Sequence, residues 1–159
     1  MFPSGRVKRN TMQTETPLHI EDCTCLAVRQ AARHVSQFYD HYLATVGLRT
    51  TQFSILAKLW RRGTMTINAL AADLVMDRTT LGRNILPLAR EGLIRIKPGE
   101  TDRRSKELTL TDAGRERLKA AREGWSQAQA AFARAFGEDR TPGLRALLRE
   151  VATTELPAG

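Results

Sequence analysis

Between residues 21 and 46 apolar side chains return every three or four positions, at Val28, Ala31, Ala32, Val35, Phe38, Tyr39, Tyr42, Leu43 and Val46. That period keeps them on one face of an α-helix, so the segment predicts a single long amphipathic helix, closed by Gly47. A second helix is predicted by Phe53, Ile55, Leu56, Leu59 and Trp60, with Thr50 or Thr51 as its N-cap and Gly63 after its last turn. Met65 is expected in a very short strand. Thr66 then caps a short helix with Ile67, Leu70, Ala71 and Leu74 facing inward. After a break at Val75 and Met76, Asp77 caps another, whose inner face is Leu81, Ile85, Leu88 and Ala89. Pro87 conflicts with this last helix: it has no N–H to bond back to the Arg83 carbonyl, and a kink or an early end is expected there.

The period then changes from 3.6 to 2. Ile94 and Ile96 alternate with Arg95 and Lys97, and Leu108 and Leu110 repeat the pattern, which predicts two strands joined by a loop from Pro98 to Ser105. From Leu118 the helical period returns through Ala121, Trp125, Ala128, Phe132 and Phe136, a seam suited to helix packing. Thr141 and Pro142 are expected to open a last helix with Leu144, Leu147, Leu148 and Val151 on one side.

The fold class that follows is mainly α with a small β-hairpin wing. A winged helix-turn-helix DNA-binding region is expected over residues 49–110, flanked by a helical dimerisation region at 18–48 and 111–155, with a flexible N-terminal tail at 1–17. The flanking helices carry more apolar surface than one chain's core covers, so a second copy is expected against them.

The outward face of the helix after Asp77 shows Arg78, Thr79, Thr80, Arg83 and Asn84, side chains able to donate to phosphates and base edges. Gly82 lies beside them and removes bulk where a helix must press close to a groove. The hairpin loop carries Asp102, Arg103 and Arg104, with Lys106 just beyond. It suits a wing laid on a nucleic-acid backbone with one arginine entering a narrow minor groove. Thr51 completes the candidate DNA contacts. A helix-turn-helix alone is a weak signal; followed at once by a basic hairpin it is a strong one.

Composition narrows the partners. The chain of 159 residues, 42% hydrophobic, is long enough for one domain with a real core, and its formal net charge of +8 favours a polyanion. The excess is spread along the chain, so charge alone does not locate a site. Arg6, Lys8 and Arg9 in the tail read most simply as a solvated basic run. No apolar run approaches the roughly 20 residues that span a bilayer, and none resembles a signal peptide, so a cytoplasmic protein with no membrane partner is expected. No phosphate-binding glycine loop, nucleophile elbow or HExxH helix occurs, so neither enzyme activity nor a cofactor is expected. His34 and His41 lie seven residues apart with no cluster of cysteine, histidine or acid around them, so no metal site is expected. The rival from another class is a non-enzymatic adaptor using the winged helix to bind protein. Steep salt dependence of DNA binding separates the two.

The runs MDRTTLGRNILPLAREGLIRI and TDRRSKELTLTDAG resemble the recognition helix and wing of the MarR family of bacterial transcription regulators. The likeness covers about residues 22–155, including LRTTQFSILAKL. Its most specific part is the wing: Asp102 matches the acidic residue that braces the wing arginine, and Arg104 matches that arginine. Thr111 and Gly114 match the L-T-x-x-G start of the next helix. The resemblance implies a homodimer that binds pseudo-palindromic double-stranded DNA near promoters and usually represses.

It also implies two modes of control. Small anionic aromatic compounds commonly occupy a pocket between the DNA-binding lobe and the dimer helices, at positions matching Tyr39, Phe53, Trp60 and Trp125, with Arg29 or Arg33 as partner for a carboxylate. The plainer reading of those aromatics is core packing. Alternatively, Cys25 in CLAVRQAARHVSQFY resembles the reactive cysteine of the organic-hydroperoxide regulators, where the positive end of a helix favours the thiolate. Tyr39 matches one of the two tyrosines that contact that cysteine, and the other falls on Thr50. Cys23 and Cys25, two residues apart in one helix, are expected about 200° apart around its axis and unable to join. Cys25 also fits as a small buried apolar residue on the stripe of Val28.

Overall fold

The computed structural model describes residues 19–99 and 102–157. The basic tail at 1–17 lies outside them. Among the described residues six α-helices and three strands follow in the order α1 (Thr24–Leu43), α2 (Thr50–Arg62), β1 (Met65–Thr66), α3 (Ile67–Asp73), α4 (Arg78–Arg90), β2 (Ile94–Pro98), β3 (Lys106–Leu110), α5 (Asp112–Phe136) and α6 (Arg140–Thr153). The chain divides into two compact units within α1, between Arg33 and His34. Among the described residues no helix is long and apolar enough to cross a membrane.

The first unit contains a 3₁₀ turn at Ile20–Asp22 and the first part of α1. Cys23 lies between them with an extended backbone (φ −75°, ψ 108°), and its carbonyl accepts from Ala27 N–H at 3.0 Å.

In the second unit the expected long helix tightens into a 3₁₀ turn at Ala44–Val46. The cause is Gly47: at φ 68° it donates back to the Ala44 carbonyl, and Leu48 N–H returns to Leu43, burying both leucines. Thr50 and Thr51 prove to be the first helical residues of α2, and the capping position falls on Arg49. Its N–H is taken by the Gln52 side chain at 3.0 Å, while Thr50 N–H reaches back ten residues to Asp40 Oδ1 at 2.6 Å. The cap is therefore tertiary, supplied by α1, and not visible in local spacing.

The core gathers Leu43, Ile55, Leu56, Leu59, Leu70, Leu81, Leu88 and Leu108, all essentially inaccessible to solvent. Each such burial stabilises the fold by about 1.5–3 kcal/mol. Helix α4 runs through Pro87 to Arg90 and does not end early. Its last turn is held by buried Leu88 and by bonds from Glu91 N–H to Pro87 O and Leu93 N–H to Leu88 O. Pro98 belongs to β2, not to the loop. It ends an edge strand opposite Lys106, where a missing N–H is tolerated. The hairpin gains a third member, since Met65 and Thr66 pair with Leu108 and Glu107, giving the order β1-β3-β2.

Thr111 opens α5. Its hydroxyl accepts from Gly114 N–H at 3.0 Å and donates to the Gly92 carbonyl at 2.6 Å. Along α5, Ala121 and Ala128 are buried, and Gly124 lets the helix pass close to the Tyr42 carbonyl. Helix α6 begins at Arg140, one residue before the expected Thr141 cap. Thr141 is instead buried, with its hydroxyl donating to the Gly137 carbonyl at 2.7 Å. The apolar side of α6 is bare: Leu147, Leu148 and Val151 are 63%, 46% and 55% exposed.

Candidate nucleic-acid interface

Local hydrogen bonds set the two short helices. Thr66 accepts the Ala69 N–H at 3.1 Å and so fixes the start of α3. Met76 N–H closes back on the Ala71 carbonyl at 2.8 Å, which forces Val75 to φ 51°, unusual for a β-branched residue. Asp77 then receives the N–H of Thr80 at 2.8 Å and its hydroxyl at 2.6 Å. These bonds, the hydroxyl first, hold the Asp77 carboxyl below its ordinary value of 3.8.

Asp73, at the end of α3, is likewise held down, first by the Lys58 ammonium, 2.9 Å away on α2, with burial opposing. Arg62 lies 3.4 Å from its other oxygen. Because both carboxyls are depressed, the stability they give is complete above the ordinary value of 3.8 and is lost as pH falls through their lower folded values.

With Leu81, Ile85 and Leu88 buried, α4 turns Arg78, Thr79, Thr80 and Arg83 outward, with Asn84 half-buried. Two of these side chains are already engaged. Thr80 serves the Asp77 cap, and Asn84 donates to the Thr80 carbonyl at 2.8 Å. Arg78, Thr79 and Arg83 are the outward side chains beyond that local network.

The hairpin turn brings a second set of groups to the same place. Ser105 donates its N–H at 2.9 Å and its hydroxyl at 2.6 Å to the Asp102 carbonyl, and Gly99 N–H returns to Ser105 O at 2.9 Å. The Asp102 carboxylate accepts the backbone N–H of Arg104 at 2.9 Å. The brace thus acts on the arginine's main chain, leaving its side chain exposed alongside Arg103 and Lys106.

A cleft of about 390 Å³ lies between helix and hairpin, lined by Arg78, Thr79 and Gly82 on one side and Asp102, Arg104 and Lys106 on the other. Residues from sequence positions 78 and 104 therefore share one surface. Asn68 in the first turn of α3 also lines it and carried no signal in the sequence. Thr51 is half-buried on α2, and Arg83 and Arg103 are exposed outside the cleft walls.

A second, more apolar groove of about 680 Å³ runs between α2 and α5. Phe53, Trp60 and Trp125 meet in it. Phe53 and Trp125 stack with ring centres 6.0 Å apart, and the Arg115 guanidinium sits 5.2 Å from the centre of Trp60. Its cations are Arg115, Lys119 and Arg122 from α5. Tyr39 is not among its walls: it is buried beside Phe38, where desolvation pushes the phenol up, partly opposed by Arg145. Arg29 and Arg33 are exposed on the first part of α1, in the first unit. Cys25 is exposed in the first turn of α1 and Cys23 is half-buried outside the helix, so the 200° separation expected for two helical residues does not apply.

The comparisons agree with this architecture. A sequence model of the MarR family matches residues 48–106. The transcriptional regulator MosR of M. tuberculosis, solved in complex with DNA, is 37% identical, with 82% of this chain and 94% of that chain covered at a TM-score of 0.74. The organic hydroperoxide resistance transcriptional regulator of Bacillus subtilis is 27% identical over 97 residues, 61% of this chain. The match spans 66% of that relative, just under two thirds of its length. PecS of Dickeya dadantii is 29% identical over 120 residues, covering 74% of this chain and 72% of that protein. On this match of sequence, fold and winged segment, the chain belongs to the MarR family of transcriptional regulators.

Proposed function

We propose that the protein is a homodimeric, sequence-specific DNA-binding regulator, a repressor released from a pseudo-palindromic operator when a small anionic aromatic effector binds. The observation that carries this reading is the shared cleft, in which the outward face of α4 and the braced hairpin present Arg78, Thr79, Arg104 and Lys106 together. Helix α4 is assigned to the major groove, with Arg78, Thr79 and Arg83 toward the bases and Thr80 and Asn84 chiefly holding the helix. Thr51, Arg103 and Lys106 are assigned to phosphates, and Arg104 to the minor groove. Residues 49–110 form the reader in this proposal, and 18–48 with 111–155 the pairing region, supported by the bare apolar side of α6. MosR, the 37% identical relative, was solved with DNA.

The α2–α5 groove has the size and apolar walls of a small-molecule site. Arg115, Lys119 and Arg122 replace Arg29 and Arg33 as the proposed partners of a carboxylate. The test is a titration of operator DNA, obtained by selection from random duplexes, at rising salt. Affinity is expected to fall by roughly three orders of magnitude or more between 50 and 200 mM salt if about six phosphates are contacted. Binding indifferent to salt would favour the protein adaptor.

A second reading is favoured by the exposure of Cys25 in the first turn of α1 and by the name of the B. subtilis relative. In it, oxidation of Cys25 releases DNA. Organic hydroperoxide is then expected to abolish operator binding by the wild type and to leave Cys25→Ser bound. A wild type insensitive to oxidant removes this reading.

A further inference from the structure

Glycine in the interior of a helix is unfavourable by roughly 1 kcal/mol relative to alanine, and proteins keep it there when a side chain would collide or the backbone needs a positive φ. Six other glycines at or within helices here have such a reason. Gly47, Gly63, Gly92 and Gly137 adopt positive φ. A Cβ at Gly114 would strike the Leu93 carbonyl, and one at Gly124 would come within 2.6 Å of the Tyr42 carbonyl. Gly82 has neither reason. It lies inside α4 without a positive φ, and a Cβ built on it would meet nothing within 4 Å. Among the described residues Gly143 is the other helical glycine with neither reason, and it lies on α6, within the region proposed above to pair with a second copy.

The position of Gly82 indicates where its reason lies. Arg78 and Thr79, four and three residues earlier, share its face of the helix and line the same cleft. Leu81 and Ile85, on the other side, are buried in the core. Gly82 therefore sits in the outward face itself, with space above its Cα that this chain does not use.

We infer that Gly82 is a specificity-determining residue: the point where α4 approaches a base edge on the floor of the major groove so closely that a methyl group there collides with it. The inference rests on the DNA-binding reading and deepens it. A base edge, as opposed to a phosphate, is the proposed neighbour because Gly82 offers no donor beyond a helical backbone and is flanked by side chains that reach further than it does. A steric fit of this kind discriminates among base pairs, whereas phosphate contacts do not.

The experiment compares Gly82→Ala with the wild type on the selected operator and on a random duplex of equal length, together with thermal melting. The expected result has three parts. The melting temperature rises by roughly 2–4 °C, because the helix improves. Operator affinity falls by about tenfold, the scale of one mismatched base pair, while random-duplex affinity stays within about twofold. The salt slope is unchanged, because no phosphate contact is lost. Equal loss on both duplexes, undiminished operator affinity, or a lowered melting temperature would each overturn the inference. Wild-type titrations alongside keep the two claims apart. A wild type that binds no duplex removes the DNA reading and this inference with it, whereas normal wild-type binding with any of those three results removes this inference alone.

Discussion

Replacing Arg104 with alanine is expected to weaken operator binding by roughly tenfold or more while leaving folding and sedimentation unchanged. The magnitude follows from the 1–3 kcal/mol that one specific arginine contact contributes, each 1.4 kcal/mol being a factor of ten. The confinement of the effect to binding follows from the structure. The Arg104 side chain is exposed, and its backbone is fixed by Asp102 and the Ser105 turn, neither of which involves the guanidinium. Truncation therefore removes a group that contributes little to the folded chain, and surface changes of this kind stay within about 0.5 kcal/mol of neutral. Asp102→Ala acts on the brace and not on the guanidinium, so it is expected to weaken binding less. Fluorescence anisotropy with the selected operator measures both variants. An Arg104→Ala protein that binds as the wild type does would remove the wing from the proposed interface.

The second large effect is on stability. Gly114→Ala is expected to destabilise the protein by about 1–3 kcal/mol, after the roughly 1 kcal/mol that alanine returns through helix propensity. The melting temperature should fall by roughly 3–10 °C. The new Cβ would overlap the Leu93 carbonyl oxygen and press within 2.7 Å of Leu110 Cδ1. The first turn of α5 has little room to yield, because Thr111 ties it to the end of the α4–β2 connection with its N–H on Leu93 O at 3.1 Å and its hydroxyl on Gly92 O at 2.6 Å. Calorimetry decides the matter, and an unchanged melting temperature would show that α5 slides freely. Set beside Gly82→Ala, the same substitution is expected to have opposite signs at two helical glycines, because one faces a carbonyl and the other faces open space.

What could be read in the sequence was whatever three or four residues decide among themselves. Thr66 and Asp77 are N-caps whose partners lie three positions ahead, and each does as its spacing foretells, while Thr111 caps α5 at the helix entry that the family resemblance marked. The alternation around Ile94 and Leu108 likewise fixes which side of the hairpin is buried. What could not be read depends on elements distant in the chain. Arg49 takes the place expected of a threonine cap because Asp40 on the preceding helix reaches Thr50. Helix α4 survives Pro87 because Leu88 is anchored in the core. The groove brings Arg115, Lys119 and Arg122 of α5 to Phe53 and Trp60 of α2, residues far apart in the chain whose meeting no local spacing discloses. In the cleft, Arg78 and Arg104 were legible one at a time, but their common surface was not.

The two residues of β1 carry more than their length suggests. Met65 and Thr66 pair with Leu108 and Glu107 at the root of the hairpin, while the Thr66 hydroxyl begins α3 and the Thr64 hydroxyl meets that of Thr109 at 3.1 Å. The segment from Thr64 to Thr111 is thereby stitched end to end, with its start laced to its finish. Such a closure couples the two parts of the cleft: the strand that starts α3 is held by the strand that ends the hairpin, so the helices and the wing keep one register.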